Sequence, residues 1–472
     1  MSQDEPAATP SSRWRVLTVM CVGYFLVLLD VTVINVALPQ IGSGLGSNMS
    51  GLQWVVDGYA LALATLLLAG GTLGDLYGHK RVVLTGVVVF GLASLACGLA
   101  PNTGLLVAAR VLQGIGAALL LPGTLAIITN AFPEPDRQAR AIGIWAGIGS
   151  LALPAGPLLG GALVQGLGWR AVFFLNLPIV MVAGAVALRV VHESREAEGR
   201  RLDRAGIALG GLLLAAVTFA FIQAGHTGLG APVLVAIAVA LVSLGCFLVV
   251  ERSTPDPMLP LVMFTRRSFS TANAVAGMMN LGTLGLLFLL TLYLQTVQHR
   301  SPLTAGIAVL PLFLPLSALA PIAGRLNARL GPKLPMALGL LVAAGGVALI
   351  TQWSTGTPYL TLLPPLLAWG IGLGLLTPAV VSAAVSAVEP QRTGLASGIN
   401  NTARQAGGAI GIAAYGAIAG PPANQGAFLS GLHIASLITA VLFVAATIGT
   451  VTFIPDLARD RSVASTSPPQ SA

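Results

Sequence analysis

Three ionisable side chains lie where the chain gives them little water. Asp30 falls in LLDVTVINVALP, residues 28–39, inside an apolar run from Val16 to Leu38. Asp57 falls in LQWVVDGYAL, residues 52–61, and Arg110 in LVAARVLQGIGAA, residues 106–118. A charged group deep in hydrocarbon costs about 2.5–3.5 kcal/mol on insertion scales, so such residues face cavities and pair with one another. Desolvation favours the neutral form of a carboxyl group, and a nearby guanidinium favours the charged form. A carboxylate balanced between the two can change protonation as water reaches it from one side or the other. The chemistry implied is proton coupling: Asp30 binds a proton, a substrate competes with it, and Arg110 adjusts the balance. The alternative is that Asp30 bonds Thr32, Asn35 or a nearby backbone group and only fixes helix packing. Asp57 stands between a direct coupling or cation-attracting role and that of a wet interfacial aspartate beside Trp54 and Tyr59, which could be belt aromatics.

The elements that would position these groups are transmembrane helices. The 472-residue chain is 55% hydrophobic and 8% charged, against about 25% charged in soluble domains. Charge-free stretches recur along its length, and about 20 apolar residues span a bilayer core as a helix. Stretches 205–250, 334–388 and 405–455 are each long enough for two spans, which brings the expected total to fourteen. Counted inward along each helix, Asp30, Asp57 and Arg110 share a layer roughly 9–12 Å below the outer surface. With the N-terminus inside, twenty of the 24 basic residues fall in cytoplasmic segments, as the positive-inside rule requires. Both termini are therefore expected in the cytoplasm, and the net charge of +8 reflects topology and contact with anionic membrane lipid, not nucleic acid. Cys21, Cys97 and Cys246 have no paired spacing, so neither a disulfide nor a metal site is expected.

The chain repeats itself. EPDRQARAIGI at 134–144 matches EPQRTGLASGI at 389–399, an offset of 255, and GTLGDLYGHK at 71–80 matches GRLNARLGPK at 324–333, an offset of 253. Parallel repeats related by an axis along the membrane normal are a transporter architecture. The expected organisation is an all-α polytopic membrane protein. Residues 1–12 form a disordered tail and 13–190 a six-helix bundle; 191–252 supply two additional helices with a cytoplasmic linker. Residues 253–457 form the second six-helix bundle, and 458–472 a disordered cytoplasmic tail. The two added helices show almost no polar residue beyond Gln223 and His226 and read as lipid-embedded and peripheral.

These motifs resemble the major facilitator superfamily, and within it the fourteen-span drug:proton antiporters. Gly71, Leu73, Gly74, Asp75, Gly78, Lys80 and Arg81 are similar to the superfamily signature between spans 2 and 3, with Leu76 and His79 where arginines are common. Arg110, Gln113 and Gly114 resemble the span 4 motif. Gly147, Pro154, Gly156, Pro157, Gly160 and Gly161 resemble the antiporter motif of span 5, and residues 28–39 the signature of the fourteen-span group. The resemblance implies that Asp75 latches one conformational state, pairing with loop bases such as Lys80, Arg81 or Arg137. It also implies that span 5 seals the interface of the halves against leak. The substrate cavity is expected between the halves near the midplane. Its candidate lining is Tyr24, Asn35, Gln113, Trp145, Asn280, Tyr293, Asn400 and Asn401, with Arg404 within span 13.

The function implied is secondary active export of multiple lipophilic drugs or antibiotics, cationic ones included, across the plasma membrane, in exchange for protons, by a monomer without cofactors. No G-x-x-x-x-G-K-[ST] motif is present to bind ATP, nor H-E-x-x-H or G-x-S-x-G to support an enzyme. The alternatives are proton-coupled movement of one small metabolite, against which the span 5 motif argues, and a transporter-derived membrane sensor.

Overall fold

A computed structural model describes residues 10–194, 202–389 and 392–456. Apart from Pro10–Ser12, which open the first helix, both expected tails lie outside these residues, as does part of the linker before the added helices. Among the described residues the chain is helical, without strands.

The first unit comprises Met1–Ala220, Ala231–Met258 and Arg300–Ile307. Its helices are α1 (Pro10–Leu45), α2 (Met49–Tyr77), α3 (His79–Leu99), α4 (Thr103–Ala131), α5 (Pro135–Leu167), α6 (Arg170–Phe174) and α7 (Asn176–Val190). The added helices α8 (Arg204–Thr227) and α9 (Ala231–Ser253) follow. The second unit comprises Phe221–Gly230, Leu259–His299 and Ala308–Ala472. The remaining helices are α10 (Arg267–Leu292), α11 (Pro302–Ala308), α12 (Leu310–Leu330), α13 (Lys333–Leu349), α14 (Tyr359–Ser386), α15 (Thr393–Ala419) and α16 (Gln425–Phe453).

Twelve of these segments are long and apolar enough to cross a membrane, and α11 with α12, bent by 43° at their junction, make a thirteenth. The remaining expected segment, span 13, is helical over Thr393–Ala419 but lies outside that set. Its run NNTARQAGG, residues 400–408, holds five polar side chains. A hydropathy criterion penalises such a helix even when its polar face is turned inward.

The two units repeat one packing scheme. In the first, α1 lies on α5 while α2 and α3 both lie on α4; in the second, α10 lies on α15 while α12 and α13 both lie on α14. The helices approach closely at small residues, as membrane helices do when no hydrophobic effect drives them together. Gly114 of α4 abuts the Tyr59 carbonyl of α2, and Gly370 of α14 abuts the Leu312 carbonyl of α12. Leu312 stands 253 residues after Tyr59, and Gly370 256 after Gly114. The offset read from the loops thus recurs in the packing.

The turns repeat as well. Gly78 ends α2 at φ 100° and Gly331 ends α12 at φ 76°, again 253 residues apart. Residues with a Cβ avoid that region, which is why glycine closes both helices. Asn48 and Asn102 open α2 and α4 by accepting the Gly51 and Leu105 amides at 2.9 Å each, satisfying donors a helix start leaves free.

Candidate functional site

The centre of the first unit is a buried polar network in an apolar bundle. Asp30 is 1% exposed and Arg110 0%. The Arg110 guanidinium donates through Nη1 to Asp30 Oδ2, a direct ion pair joining α4 to α1. Nη1 also donates to Gln113 Oε1 at 2.7 Å, and Nε donates to the Val55 carbonyl of α2 at 3.0 Å. Gln113 sits one turn after Arg110, so both project from the same face of α4. Its Nε2 donates to Asp30 Oδ1 and to Ser94 Oγ of α3, each at 2.9 Å. Asn176, the first residue of α7, donates to Asp30 Oδ1 at 3.4 Å and to Ser94 Oγ at 3.2 Å. The Tyr59 ring lies under the guanidinium, 4.4 Å from Cζ, where its π face attracts the cation.

Asp30 is therefore held by three donors from α4 and α7. Thr32 and Asn35, the alternative partners on its own helix, bond elsewhere. Thr32 donates to the Leu29 and Ala152 carbonyls, and Asn35 to the Val31 carbonyl. A buried pair of this kind is tolerable only when its remaining groups are hydrogen-bonded: Gln113 and Asn176 donate to Asp30 and are themselves held by Ser94, while Arg110 Nη2 is buried without a hydrogen bond. Sequence reasoning missed Ser94 and Asn176. Asn176, in FFLNLP, is a lone amide in an apolar span and so carried a signal; Ser94 carried none. Gln113, expected at the substrate cavity, belongs to this network.

Asp57 is fully enclosed, but neither of its oxygens has a hydrogen-bond partner. Arg110 meets α2 at Val55 and Tyr59, two residues on either side. At 100° per residue both lie on the opposite side of α2 from Asp57. The expected triad is thus an ion pair with a separate buried acid.

The remaining candidates divide by surroundings. Tyr24 and Trp145 are half-buried and stack on each other at 3.9 Å, joining α1 to α5. Tyr293 is fully buried, donates to the Ser354 carbonyl at 2.6 Å and stacks on Trp353, so it braces the second unit. Asn400 donates to Asn273 at 3.3 Å. Asn280, Asn401 and Arg404 are half-buried.

The loop after α2 departs from the expected pairing. Asp75 meets His79 one turn away, at 3.3 Å, not Lys80, Arg81 or Arg137. Glu193, just past α7, takes Arg81 instead, pairing with it at 3.6 Å, and accepts the Lys80 backbone amide at 3.0 Å. The Lys80 ammonium donates to the Leu188 carbonyl, and Arg137 pairs with Glu134 at 3.7 Å. The physical reason is the positive φ at Gly78, which turns the α3 amides toward the segment after α7; a Cβ at Gly78 would strike the Glu193 carboxylate. Gly71 lies against Pro122 of α4.

In α5, Gly156 and Gly160 pack on Thr32 and Val33 of α1, two and three residues beyond Asp30. Gly161 and Pro157 pack on the Pro302–Ala308 helix, through Leu303 and Gly306. Pro154 and Pro157 lie inside the helix, which runs unbroken over Pro135–Leu167. Gly147 has no neighbour within 4 Å of a Cβ position.

At the opposite edge of α5, Glu134 accepts two bonds from Arg13 of α1, at 2.8 and 3.0 Å. That hydrogen bonding, with Arg137 nearby, holds its carboxyl below the usual glutamate value of 4.5.

A profile of the Major Facilitator Superfamily matches residues 20–412. The puromycin resistance protein of Streptomyces alboniger is 38% identical over 85% of this chain and 80% of its own length. The methylenomycin A resistance protein of Streptomyces coelicolor is 36% identical over 85% of each chain. The multidrug efflux pump LfrA of Mycolicibacterium smegmatis is 32% identical over 87% of this chain and 81% of its own. Among solved structures, a bacterial homologue of the human lysosomal transporter Spinster superposes with a TM-score of 0.65 at 18% identity. It covers 98% of this chain and 100% of that one, which speaks for the fold. A multi-pass helical bundle, a buried acid–guanidinium pair and a duplicated packing scheme converge with the profile match: the chain is a membrane transporter, not an enzyme, and belongs to the Major Facilitator Superfamily.

Proposed function

We propose that the chain is a secondary active exporter of lipophilic drugs or antibiotics in the plasma membrane, exchanging its substrate for protons by alternating access. The observation that carries this reading is the enclosed Asp30–Arg110 pair, an acid on α1 held by a base on α4 with every other contact supplied by neutral groups. Such a pair is costly to bury, and intramembrane acids mark ion and proton pathways. Relatives named for resistance to puromycin and methylenomycin and for multidrug efflux support the substrate class. The Tyr24–Trp145 stack offers a planar aromatic wall, and the outer loops carry no acid to select a charged solute. Both termini lie in the cytoplasm and Thr393–Ala419 crosses with the other helices, giving fourteen spans. A proton entering down 100 mV supplies about 2.3 kcal/mol before any pH gradient is added.

The test is purified protein in liposomes under an imposed pH gradient, with lipophilic antibiotics and dyes added and lumenal pH followed. Substrate-dependent proton movement that ends with Asp30→Asn is expected. Proton-linked transport surviving that substitution removes Asp30 from the mechanism. Binding without proton movement for every compound points to a sensor, and inward movement of one metabolite to an importer.

A further inference from the structure

Within the first unit, α1 and α7 bound a groove of about 530 Å³. Arg15, Thr18 and Val22 line it from α1, and Ile179, Val182 and Val186 from α7. The α7 residues recur at three and four positions, so they form one face of that helix.

The buried network fixes how the two helices run. Asn176, the first residue of α7, bonds Asp30 of α1, and from that level both helices lead along the groove to one end of the bundle. Arg15 stands about 22.5 Å from Asp30 along α1, and Arg189 about 19.5 Å from Asn176 along α7. The two arginines therefore reach the same end of the groove, within about 3 Å in depth. Arg189 follows Val182 by seven residues and Val186 by three, so it continues the α7 face that lines the groove.

Both arginines are exposed, and among the described residues neither has an ion pair or a hydrogen bond. The acids at that end are already engaged, Glu134 by Arg13 and Arg137, and Glu193 by Arg81. Beyond Arg15 the lining side chains are apolar except Thr18, whose hydroxyl bonds the Trp14 carbonyl at 3.0 Å. The result is a slot running about 12 Å along α7, with uncompensated positive charge at its mouth. A lipophilic drug would find no polar group inside the slot to orient it. A second copy of the chain would have to bring an acid to each arginine. A membrane phospholipid supplies both parts at once, an acyl chain for the slot and a phosphate for the guanidinium groups. Basic pockets between membrane helices favour anionic headgroups, and a zwitterionic lipid would bring its own cation to the same mouth.

We infer that the α1–α7 groove binds an anionic phospholipid of the leaflet facing the N-terminus, with one acyl chain in the slot and the phosphate on Arg15 and Arg189. With both termini in the cytoplasm, that leaflet is the inner one. The inference needs no drug or proton to move, so it stands apart from the exporter reading.

The test uses full-length protein in liposomes holding phosphatidylglycerol with a photoactivatable diazirine in one acyl chain, or phosphatidylcholine with the same chains. After irradiation, mass spectrometry maps the adducts. Phosphatidylglycerol adducts are expected on residues 15–22 and 178–186, with a preference over phosphatidylcholine of about thirtyfold, about fivefold for each arginine. Arg15→Gln or Arg189→Gln alone should lower the preference about fivefold, and the two together should abolish it. Val186→Trp, which fills the slot and keeps both charges, should lower phosphatidylglycerol labelling there as well. Arg204→Gln with Arg252→Gln removes the same charge from exposed positions on the added helices and should leave the preference intact. Equal labelling of the groove by both lipids, or adducts confined to other segments, overturns the inference. So does a preference that survives loss of Arg15 and Arg189, or one that falls equally with Arg204 and Arg252, which would mark diffuse surface charge. Displacement of the label by a lipophilic dye, or by a second copy cross-linked through the groove, would also overturn it.

Discussion

The buried pair makes an asymmetric prediction. Replacing Asp30 with Asn leaves Arg110 charged, enclosed and facing a neutral amide, and a guanidinium cannot escape by losing its proton. The asparagine also meets donors on both sides, since Asp30 Oδ2 accepts from Arg110 while Oδ1 accepts from Gln113 and Asn176. Whichever way the amide turns, its NH2 confronts a donor. Removing one partner of a buried pair costs about 3–5 kcal/mol, and Asp30→Asn should fall in that range. Arg110→Met should cost less, because the stranded carboxyl can take up a proton and become neutral. Removing both charges, with Asp30→Leu and Arg110→Met together, should restore most of the stability, since apolar replacements of buried pairs are often neutral or better. The assay is reversible unfolding of purified protein in mixed micelles, with proton-linked export measured on the same variants. The double variant should be stable and inactive. A cost for Asp30→Asn below that of Arg110→Met, or a double variant less stable than either single one, would refute the reasoning.

Other perturbations follow from the same packing. Gly78→Ala forces a Cβ into the positive-φ region and against Glu193. A loss of about 1–2 kcal/mol is expected, visible as faster hydrogen exchange over residues 76–82; Gly147→Ala, with open space around it, should change nothing. Gly114→Ala pushes α2 off α4 at the Tyr59 carbonyl, and overpacking of about 1–3 kcal/mol should lower the thermal transition and export together. The Arg13–Glu134 link depends on pH in a defined direction. The folded carboxyl lies below 4.5, so its contribution is present above that value and is lost as pH falls through the folded value. Exchange protection near residue 134 should therefore fade only below about 4.5, and Glu134→Gln should remove the pH dependence.

The fold was legible because a bilayer leaves few choices. Charge-free stretches had to be helices, since no other open structure satisfies its backbone in hydrocarbon. The loop repeat announced a duplication that the Gly114–Tyr59 and Gly370–Leu312 contacts then displayed. Asp30 and Arg110 were legible for the same reason: each is expensive alone, so each needed the other. Their neutral supports were harder to foresee. Nothing about Ser94 in a helix rich in valine and leucine separates it from a serine bonding its own carbonyl. The Glu193 link was hidden because it depends on the segment after α7 folding back onto the α2–α3 turn, a tertiary fact without periodicity.

In the proposed cycle, the arrangement around Arg110 gives an arriving proton a defined place to act. Its partners fall into two sets: Asp30 on α1, and the Val55 carbonyl, Gln113 and the Tyr59 face on α2 and α4. A proton arriving at Asp30 cancels the attraction in the first set and leaves the second intact, so the guanidinium stays with α2 and α4. Gln113 and Asn176 can still donate to the carbonyl oxygen of a neutral acid, so the loss falls almost wholly on the charge link from α1 to α4. The helix released is the one whose next residues, Thr32 and Val33, lie against Gly156 and Gly160 of the span 5 motif. In the proposed cycle, α1 thus joins the titrating group to the seal, with two residues of helix between them. A change in protonation need not travel through a chain of side chains to reach the gate, because the acid and the gate contact are carried on one rigid element.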